Sequence, residues 1–114
     1  MEECIFCKII NEEIPSNQVY SDGEFYAFRD VNPQAPVHIV LVARRHVERV
    51  VDFTDADAGL VGRMVLVANR IAESEGIVKN GFRYVLNCNE HGGQTVFHVH
   101  LHLLGGRYMG WPPG

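Results

Sequence analysis

Apolar positions recur along the chain at helical spacing in two segments. Between residues 60 and 72 the apolar residues lie mostly three and four apart, which predicts a long helix with one face packed on a sheet. Thr54 and Asp57 precede it in the arrangement of a capping box, with Asp57 in the place of the usual Glu or Gln. A short amphipathic helix is predicted over residues 5–14, where Pro15 would end it.

Five further segments are rich in apolar residues and predict strands: residues 18–20, 25–28, 38–42, 83–87 and 97–104. The first two flank a turn rich in Asp and Gly, which favours a hairpin. The third is almost wholly apolar, as expected of a central strand covered on both faces. We therefore predict a single domain over residues 1–114 with an α+β fold: an antiparallel meander of about five strands, one long helix and a short N-terminal helix.

The composition fits one globular domain and argues against several classes of protein. Of the 114 residues, 46% are hydrophobic and 21% are charged, and no apolar run approaches the ~20 residues of a membrane span. The net charge of −4 argues against binding along a nucleic-acid backbone. The first residues lack the pattern of a secretory signal, and the three cysteines are an odd count. These observations predict a cytoplasmic protein with reduced thiols.

Three of the six histidines stand at alternate positions, His98, His100 and His102, with apolar residues between them. Because side chains in a strand alternate between its two faces, this spacing predicts three imidazoles on one face and an apolar core on the other. Imidazole is the usual acid, base, nucleophile or metal ligand near neutral pH. The alternative is a half-exposed strand whose polar face is histidine by chance, but such faces normally carry Thr, Lys, Glu or Arg.

A loop with the sequence Gly-Gly-Gln-Thr at residues 92–95 precedes the histidines. Its glycines allow backbone N–H groups to converge on an anion, as in phosphate-binding nests. A plain hairpin turn is the alternative, since glycines serve turns generally. Together with the histidines and the amide of Asn87, the loop indicates nucleophilic attack at phosphorus.

The run His-Val-His-Leu-His-Leu-Leu at residues 98–104 resembles the motif of the histidine-triad proteins, and the resemblance extends along almost the whole chain. The chain is similar to the branch of histidine-triad nucleotide-binding proteins, which are purine nucleoside phosphoramidate hydrolases. The matching segments are Ile-Phe-x-Lys-Ile-Ile at 5–10, Glu-Ile-Pro at 13–15, Phe-x-Asp at 28–30, Pro-Gln-Ala-Pro-x-His at 33–38, Gly-Gly-Gln at 92–94 and Trp-Pro-Pro-Gly at 111–114. The transferase branch usually has glutamine at the third position of the triad, so His102 indicates hydrolysis rather than nucleotidyl transfer.

The resemblance implies a role for each histidine of the site. His100 resembles the nucleophile, whose imidazole attacks the α-phosphorus to give a nucleotidylated intermediate that water hydrolyses, and we expect this ring to face the surface. His102 resembles the residue that contacts the phosphate or the leaving group. His38 and His98 would support the reaction, although His38 could instead hydrogen-bond a strand end. Thr95 stands where this branch commonly has Ser, so its hydroxyl would assist the leaving group in a narrower pocket.

The same resemblance implies a nucleotide pocket. Asp30 would accept hydrogen bonds from both ribose hydroxyls, unless it serves only the turn before Pro33. The apolar walls around the purine would be Ile5, Phe6, Ile9, Ile14, Phe28 and Val31. The phosphate would be bound by Asn87, Gly93, Gln94 and Thr95. Trp111 would reach the active site of the partner in a two-fold dimer.

Cys4 and Cys7 have the Cys-x-x-Cys spacing of a zinc knuckle, and tetrahedral zinc needs two more nitrogen or sulfur ligands. His46 and His98 are the best candidates. Some histidine-triad relatives pair this motif with equivalent histidines, which implies a structural zinc site that closes the N-terminal segment onto the sheet. The alternative is that both cysteines are small buried residues of the first helix.

These inferences give a leading function and its alternatives. The leading hypothesis is a homodimeric hydrolase that releases a purine nucleoside 5'-monophosphate from a phosphoramidate and needs no cofactor for its chemistry. Related enzymes cut dinucleoside polyphosphates, but residues 111–114 argue against that activity. A non-catalytic nucleotide-binding or metal-binding adaptor would not need an intact triad. A metal enzyme built on the triad itself would need ligands where the Gly-Gly-Gln loop offers hydrogen-bond donors.

Overall fold

The computed structural model describes residues 4–114, which form one antiparallel sheet with helices on both faces. The elements, in chain order, are α1 (Ile5–Ile10), β1 (Gln18–Ser21), β2 (Phe25–Arg29), β3 (Val37–Ala43), α2 (Ala58–Ser74), β4 (Phe82–Val85), α3 (Asn89–Gly92) and β5 (His100–Gly105). Two single turns of 3-10 helix, Val50–Asp52 and Asp55–Asp57, lead from β3 into α2.

The strand order across the sheet is β1-β2-β3-β5-β4, and every neighbouring pair is antiparallel. β3 therefore lies at the centre, as its continuous apolar run predicts. β5 inserts between β3 and β4, so the last two strands depart from simple meander order. The more deeply buried strand, β5, takes the inner position, whereas β4 is half-buried along its whole length. The predicted α+β fold, with five antiparallel strands, one long helix and a short N-terminal helix, is confirmed.

The larger core lies between the sheet and α2. Alternate residues of β2, β3 and β5 face the apolar stripe of the helix, among them Phe25, Ile39, Leu41, Leu101 and Leu103 from the strands and Met64, Val67, Ala68 and Ile71 from the helix. The predicted capping box forms in the 3-10 turn that leads into the helix, where the backbone N–H of Thr54 donates to Asp57 Oδ2 at 2.9 Å, and α2 itself begins one residue later at Ala58 without a side-chain cap. The periodicity of residues 60–72 was thus a correct indicator of this face.

The smaller core lies on the opposite face, where α1 packs on the sheet. Phe6 and Ile9 of α1 contact alternate residues of β2 and β3. The helix is shorter than predicted because it ends in a Schellman motif, in which the N–H of Glu13 donates to the Lys8 carbonyl at 2.8 Å. Glu12 adopts the left-handed conformation of that motif, with φ at 62°. A glutamate at this position gives no sequence signal of a helix end, and so Pro15 was the wrong terminator.

Two strand boundaries also differ from the prediction. β5 begins at His100, so residues 97–99 precede the ladder, and β4 ends at Val85 instead of residue 87. The short helix α3 occupies the beginning of the connection between these strands. Within residues 4–114 no helix combines the length and the apolar character that crossing a membrane requires.

Candidate active site and metal centre

Four histidines gather on the face of the sheet that α1 covers. His100 and His102 lie in β5, opposite Val42 and Val40 of β3, and His38 lies near the start of β3. His98 lies two residues before β5 and is fully buried. Because His38 and His100 are also buried, the site is not the half-exposed polar strand that was the alternative interpretation.

The ring of His100 is held by the backbone of His98 and by Phe6. His100 Nδ1 donates to the carbonyl oxygen of His98 at 2.7 Å, and since a carbonyl can only accept, the ring proton lies on Nδ1. Nε2 therefore keeps its lone pair, and burial lowers the pKa of His100, which keeps the ring neutral near pH 7. The expectation that His100 faces the surface is wrong: the ring is 7% exposed because Phe6 packs on it edge to face, with centroids 4.9 Å apart.

A second series of hydrogen bonds fixes the proton of His102. The backbone N–H of Gln34 donates to His38 Nδ1 at 3.0 Å, which places the proton of a neutral His38 on Nε2. That Nε2–H donates to His102 Nδ1 at 2.9 Å, so His102 carries its own proton on Nε2. His102 is half-buried, and burial, with the neighbouring rings of His100 and His38, lowers its pKa to about 4. The face thus offers one imidazole with a free lone pair beside one that donates a hydrogen bond.

The lowered histidine pKa values make stability depend on pH. The unfolded chain binds a proton at His102 near pH 6.5, whereas the folded chain does so only near pH 4. The free energy of unfolding should therefore be highest above pH 6.5 and fall as the pH drops toward 4. We expect a loss of about 2 kcal/mol from His102 alone between pH 7.5 and 5.0 in urea titrations.

A substitution separates this contribution from that of other titrating groups. His102→Gln should lose less stability than the wild type over the same pH interval, and His91→Gln, at an exposed position in α3, should behave like the wild type. Equal losses in the wild type and in His102→Gln would contradict the assignment.

Asp30 lies at the edge of the histidine cluster. Its Oδ2 is 3.5 Å from His38 Nε2, and its Oδ1 accepts from the N–H of Asn32 at 2.8 Å. The carboxylate therefore serves the turn and faces the site at the same time. One oxygen remains oriented toward the cluster, where it also favours the Nε2–H form of His38.

Only part of the predicted apolar wall comes together. Phe6, Ile9, Ile14 and Phe28 belong to one cluster, in which the rings of Phe6 and Phe28 lie 5.5 Å apart. Two members of the predicted wall do not join it, because Ile5 is 45% exposed and Val31 is 99% exposed. The tail residue Trp111 is also exposed.

The loop of residues 92–95 has a defined internal structure. Gly93 has φ at 84°, and the N–H groups of Gly93 and Gln94 donate to carbonyls of α3, at 3.0 Å each. The buried amide of Gln94 donates to the carbonyls of Glu48 and Val96 and accepts from the Asn89 N–H. These donors hold the loop in place and are not free for an anion. The backbone N–H groups of residues 93 and 94 therefore do not form the predicted phosphate-binding nest.

Two other residues are predicted to bind phosphate: Asn87, which precedes this loop, and Thr95, which ends it. Asn87 is half-buried, and its backbone is packed against Gly92, where an added Cβ would lie 3.7 Å from the Asn87 carbonyl carbon. Thr95 is exposed at a cavity of about 390 Å³ that Cys4 and His46 also line. Thr95 therefore lies on the side of Cys4.

Cys4, Cys7, His46 and His98 bring their donor atoms within 4.8 Å of one another and could hold a metal ion. His98 Nδ1 lies 3.3 Å from Cys4 Sγ, 3.5 Å from Cys7 Sγ and 3.2 Å from His46 Nδ1. The other nitrogen, His98 Nε2, donates to the Ala43 carbonyl at 2.6 Å, so the lone pair of Nδ1 points at the cluster. Four ligands of the types that soft divalent metals prefer thus share one site.

The two cysteines are not equivalent. Cys4 caps α1, and its sulfur accepts from the Cys7 N–H at 3.2 Å. Burial, followed by the hydrogen bond with Cys4 and the proximity of Cys4, raises the pKa of Cys7 to about 11. Both are half-buried free thiols, and Cys4 also packs against the smaller core.

Sequence reasoning missed two backbone groups that orient the site. The N–H of Gln34 sets the proton position of His38, and the carbonyl of Ala43 sets that of His98. Because every non-proline residue has both groups, no residue type signals their use. Their roles depend on how the strands and the loop are placed in space.

Comparisons with known proteins agree with the fold and with the histidine motif. Residues 3–111 match the family model described as "Scavenger mRNA decapping enzyme C-term binding". The chain is 50% identical over 109 residues, 96% of this chain and 92% of the relative, to the purine nucleoside phosphoramidase of Escherichia coli strain K12. It is 47% identical over 113 residues, 99% of this chain and 98% of the relative, to an uncharacterized HIT-like protein of Synechococcus elongatus.

Solved structures give the same result. A HIT family hydrolase from Legionella pneumophila superposes with a TM-score of 0.96 at 46% identity, covering 98% of this chain and 100% of that one. A histidine triad protein from Clostridium difficile superposes with a TM-score of 0.93 at 43% identity, covering 96% of both chains. With the motif, the fold and these relatives in agreement, the chain belongs to the histidine-triad (HIT) family.

Proposed function

We propose that this protein hydrolyses purine nucleoside 5'-phosphoramidates through a nucleotidyl-histidine intermediate. The observation that carries the proposal is the pairing of two neutral imidazoles, one with a free Nε2 lone pair at His100 and one with an Nε2–H donor at His102. The rings lie 5.0 Å apart, so both can reach one phosphoryl group. The identity of 50% to a purine nucleoside phosphoramidase supports the substrate class.

The reaction proceeds in two displacements at phosphorus. His100 Nε2 attacks the α-phosphorus, a phosphorus–nitrogen bond forms to the ring, and the bond to the leaving amine breaks as that nitrogen takes up a proton. Water then attacks the same phosphorus, gives up a proton, and releases the nucleoside monophosphate and the free imidazole. The Nε2–H of His102 stabilises the negative charge that develops on the phosphoryl oxygens or the leaving nitrogen. The His98 carbonyl stabilises the ring N–H of His100 as the ring becomes positively charged.

Asp30 and the apolar cluster beside α1 form the proposed nucleoside site. The Asp30 carboxylate would accept from the ribose hydroxyls, and the purine would lie against Phe6, Ile9, Ile14 and Phe28. Ile5 and Val31 would contribute only at the rim, because both are exposed. Thr95 and Asn87 remain proposed contacts of the phosphate or of the leaving group, whereas the N–H groups of Gly93 and Gln94 are already used by carbonyls of α3.

Turnover of adenosine 5'-phosphoramidate, measured beside a diadenosine polyphosphate, tests the function. We expect release of AMP from the phosphoramidate at a much higher kcat/KM than from the polyphosphate. The reverse preference would identify a dinucleoside polyphosphate hydrolase. Tight AMP binding without turnover of either substrate would identify a nucleotide-binding adaptor.

We further propose that the four-residue metal cluster is a structural zinc site. Zinc bound to two sulfurs at ~2.3 Å and two nitrogens at ~2.0–2.1 Å in tetrahedral geometry separates its ligands by about 3.3–3.8 Å. The distances from His98 Nδ1 to the other three donor atoms and from Cys7 Sγ to His46 Nδ1 are 3.2–3.5 Å, close to this range. Zinc would join α1 to the sheet and supply no chemistry to the reaction. Reduced cysteines at such a site also fit a cytoplasmic location.

We propose a homodimer whose interface includes the outer edge of the sheet at β4. The outer edge of β4 pairs with no strand among residues 4–114, and the hydroxyl of Tyr84 donates to Asn69 Oδ1, which places this side of α2 beside β4. On the same side, Leu66 is 55% exposed and Val65 is 40% exposed. An unpaired strand edge next to exposed apolar side chains is typical of a self-association surface.

Sedimentation velocity should show a dimer at micromolar concentration. Leu66→Glu should shift the protein toward the monomer because it places a charge in the proposed interface, and Val51→Glu, at another exposed apolar position, should not. A wild type that sediments as a monomer would contradict the proposed homodimer.

Truncation before Trp111 should alter the preference for the leaving group more than it alters folding, because Trp111 is expected to reach the active site of the partner.

A further inference from the structure

The segment after β5 is tied to the loop before β3. Arg107 donates to the carbonyl oxygen of Gln34 from Nε at 3.1 Å and from Nη2 at 3.0 Å. Gly106, with φ at 91°, lies so close to Pro36 that an added Cβ would be 2.9 Å from the proline Cβ. The position of Gln34 therefore depends on the tail.

Gln34 is the first donor in the series that ends at His102. Its backbone N–H meets His38 Nδ1 inside a buried environment, since His38 is 6% exposed. Without that donor, a neutral His38 could carry its proton on Nδ1 and present a lone pair at Nε2. His102 Nδ1 would then have to donate to His38, and the proton on His102 Nε2 would be lost.

We propose that Gln34 and Arg107 are positioning residues that hold the ring proton of His102 on Nε2, where the proposed hydrolysis needs a donor. Arg107 acts through the loop, Gln34 acts through its backbone N–H, and neither has to touch the substrate. The Asp30 carboxylate, 3.5 Å from His38 Nε2, favours the same proton position from the other side. This inference rests on the proposed function for its effect on turnover, but the position of the proton is a property of the protein alone.

The matched pair Gln34→Pro and Gln34→Ala isolates the backbone donor. Both variants remove the side-chain bond from Gln34 Nε2 to the Asn32 carbonyl, but only proline removes the N–H. We expect the kcat of Gln34→Pro to lie roughly 10- to 100-fold below that of Gln34→Ala, with a smaller change in KM, as for the loss of a donor to the transition state. Nitrogen-15 NMR of the histidine rings should place the His102 proton on Nε2 in Gln34→Ala and at least partly on Nδ1 in Gln34→Pro.

Arg107 provides the test if Gln34→Pro does not fold. Arg107→Met should lower kcat roughly threefold to tenfold and shift the His102 proton toward Nδ1, as in Gln34→Pro. Arg107→Lys should restore most of the kcat and of the Nε2 proton, because lysine can still donate to the Gln34 carbonyl. Arg83→Met is the control, since Arg83 donates to the Gly110 carbonyl of the tail and not to the loop.

The proton position decides between this inference and a merely structural role. The inference is overturned if His102 keeps its proton on Nε2 in the folded Gln34→Pro and Arg107→Met variants. It is also overturned if Gln34→Pro turns over substrate as fast as Gln34→Ala and Arg107→Met as fast as Arg83→Met. A wild type that turns over no phosphoramidate would instead contradict the proposed function, and the NMR comparison would still test the hydrogen-bond series.

Discussion

His100→Ala is expected to lower phosphoramidate turnover by at least about 10⁴-fold, since it removes the only atom placed to attack phosphorus in the proposed mechanism. The nucleotidylated protein, visible by mass spectrometry when the wild type is mixed with substrate and quenched, should be absent from the variant. Because His100 is buried against Phe6, the variant should also lose some stability.

A second substitution separates lost chemistry from lost packing. Val42 lies opposite His100 in the sheet and is fully buried, so Val42→Ala should destabilise the protein by about 2 kcal/mol and retain most of the activity. His100→Gln, which keeps more of the side-chain volume, should be as inactive as His100→Ala. Turnover close to that of the wild type in either His100 variant would exclude His100 as the nucleophile.

Removing one cysteine of the metal cluster is expected to give the second large effect. Protein purified without metal-affinity resin should contain about one zinc per chain, and Cys4→Ser should contain almost none, because four ligands are needed for a closed structural site. The midpoint of thermal unfolding should fall by roughly 10 °C, since metal binding contributes directly to the free energy of folding.

Cys88→Ser is the matched control for this experiment. Cys88 is also a half-buried free thiol, but it is not a member of the cluster. Its zinc content and unfolding midpoint should stay close to those of the wild type. A wild type that binds no zinc under reducing conditions would exclude the site, and a Cys4→Ser protein that keeps its zinc would exclude this ligand set.

The features predicted correctly from the sequence are those that depend on local spacing. The period of two at residues 98–102 and the helical period at residues 60–72 each specify which face of their own element is apolar. The Cys-x-x-Cys motif likewise brings two sulfurs together within a single turn of α1. Their partners His46 and His98 required the family resemblance, because they are distant in sequence.

The features that were missed depend on contacts between distant segments. The insertion of β5 between β3 and β4 follows from how much of each strand is buried, which no single segment reveals. His100 was expected at the surface because nothing in its strand indicates that Phe6 will cover it. The donors expected from Gly93 and Gln94 bond instead to carbonyls of α3, Glu48 and Val96, since a buried amide must be satisfied.

The shortness of α1 has a consequence for motion. A helix of six residues has little stability by itself, so α1 is held in place by the contacts of Phe6 and Ile9 and by the cysteines at its start. Its local opening should cost less free energy than unfolding of the central strands, and it would uncover His100 while the sheet stays intact. Amide hydrogen exchange in α1 should therefore be faster than in β3, and a nucleotide seated against Phe6 should slow exchange in this helix first.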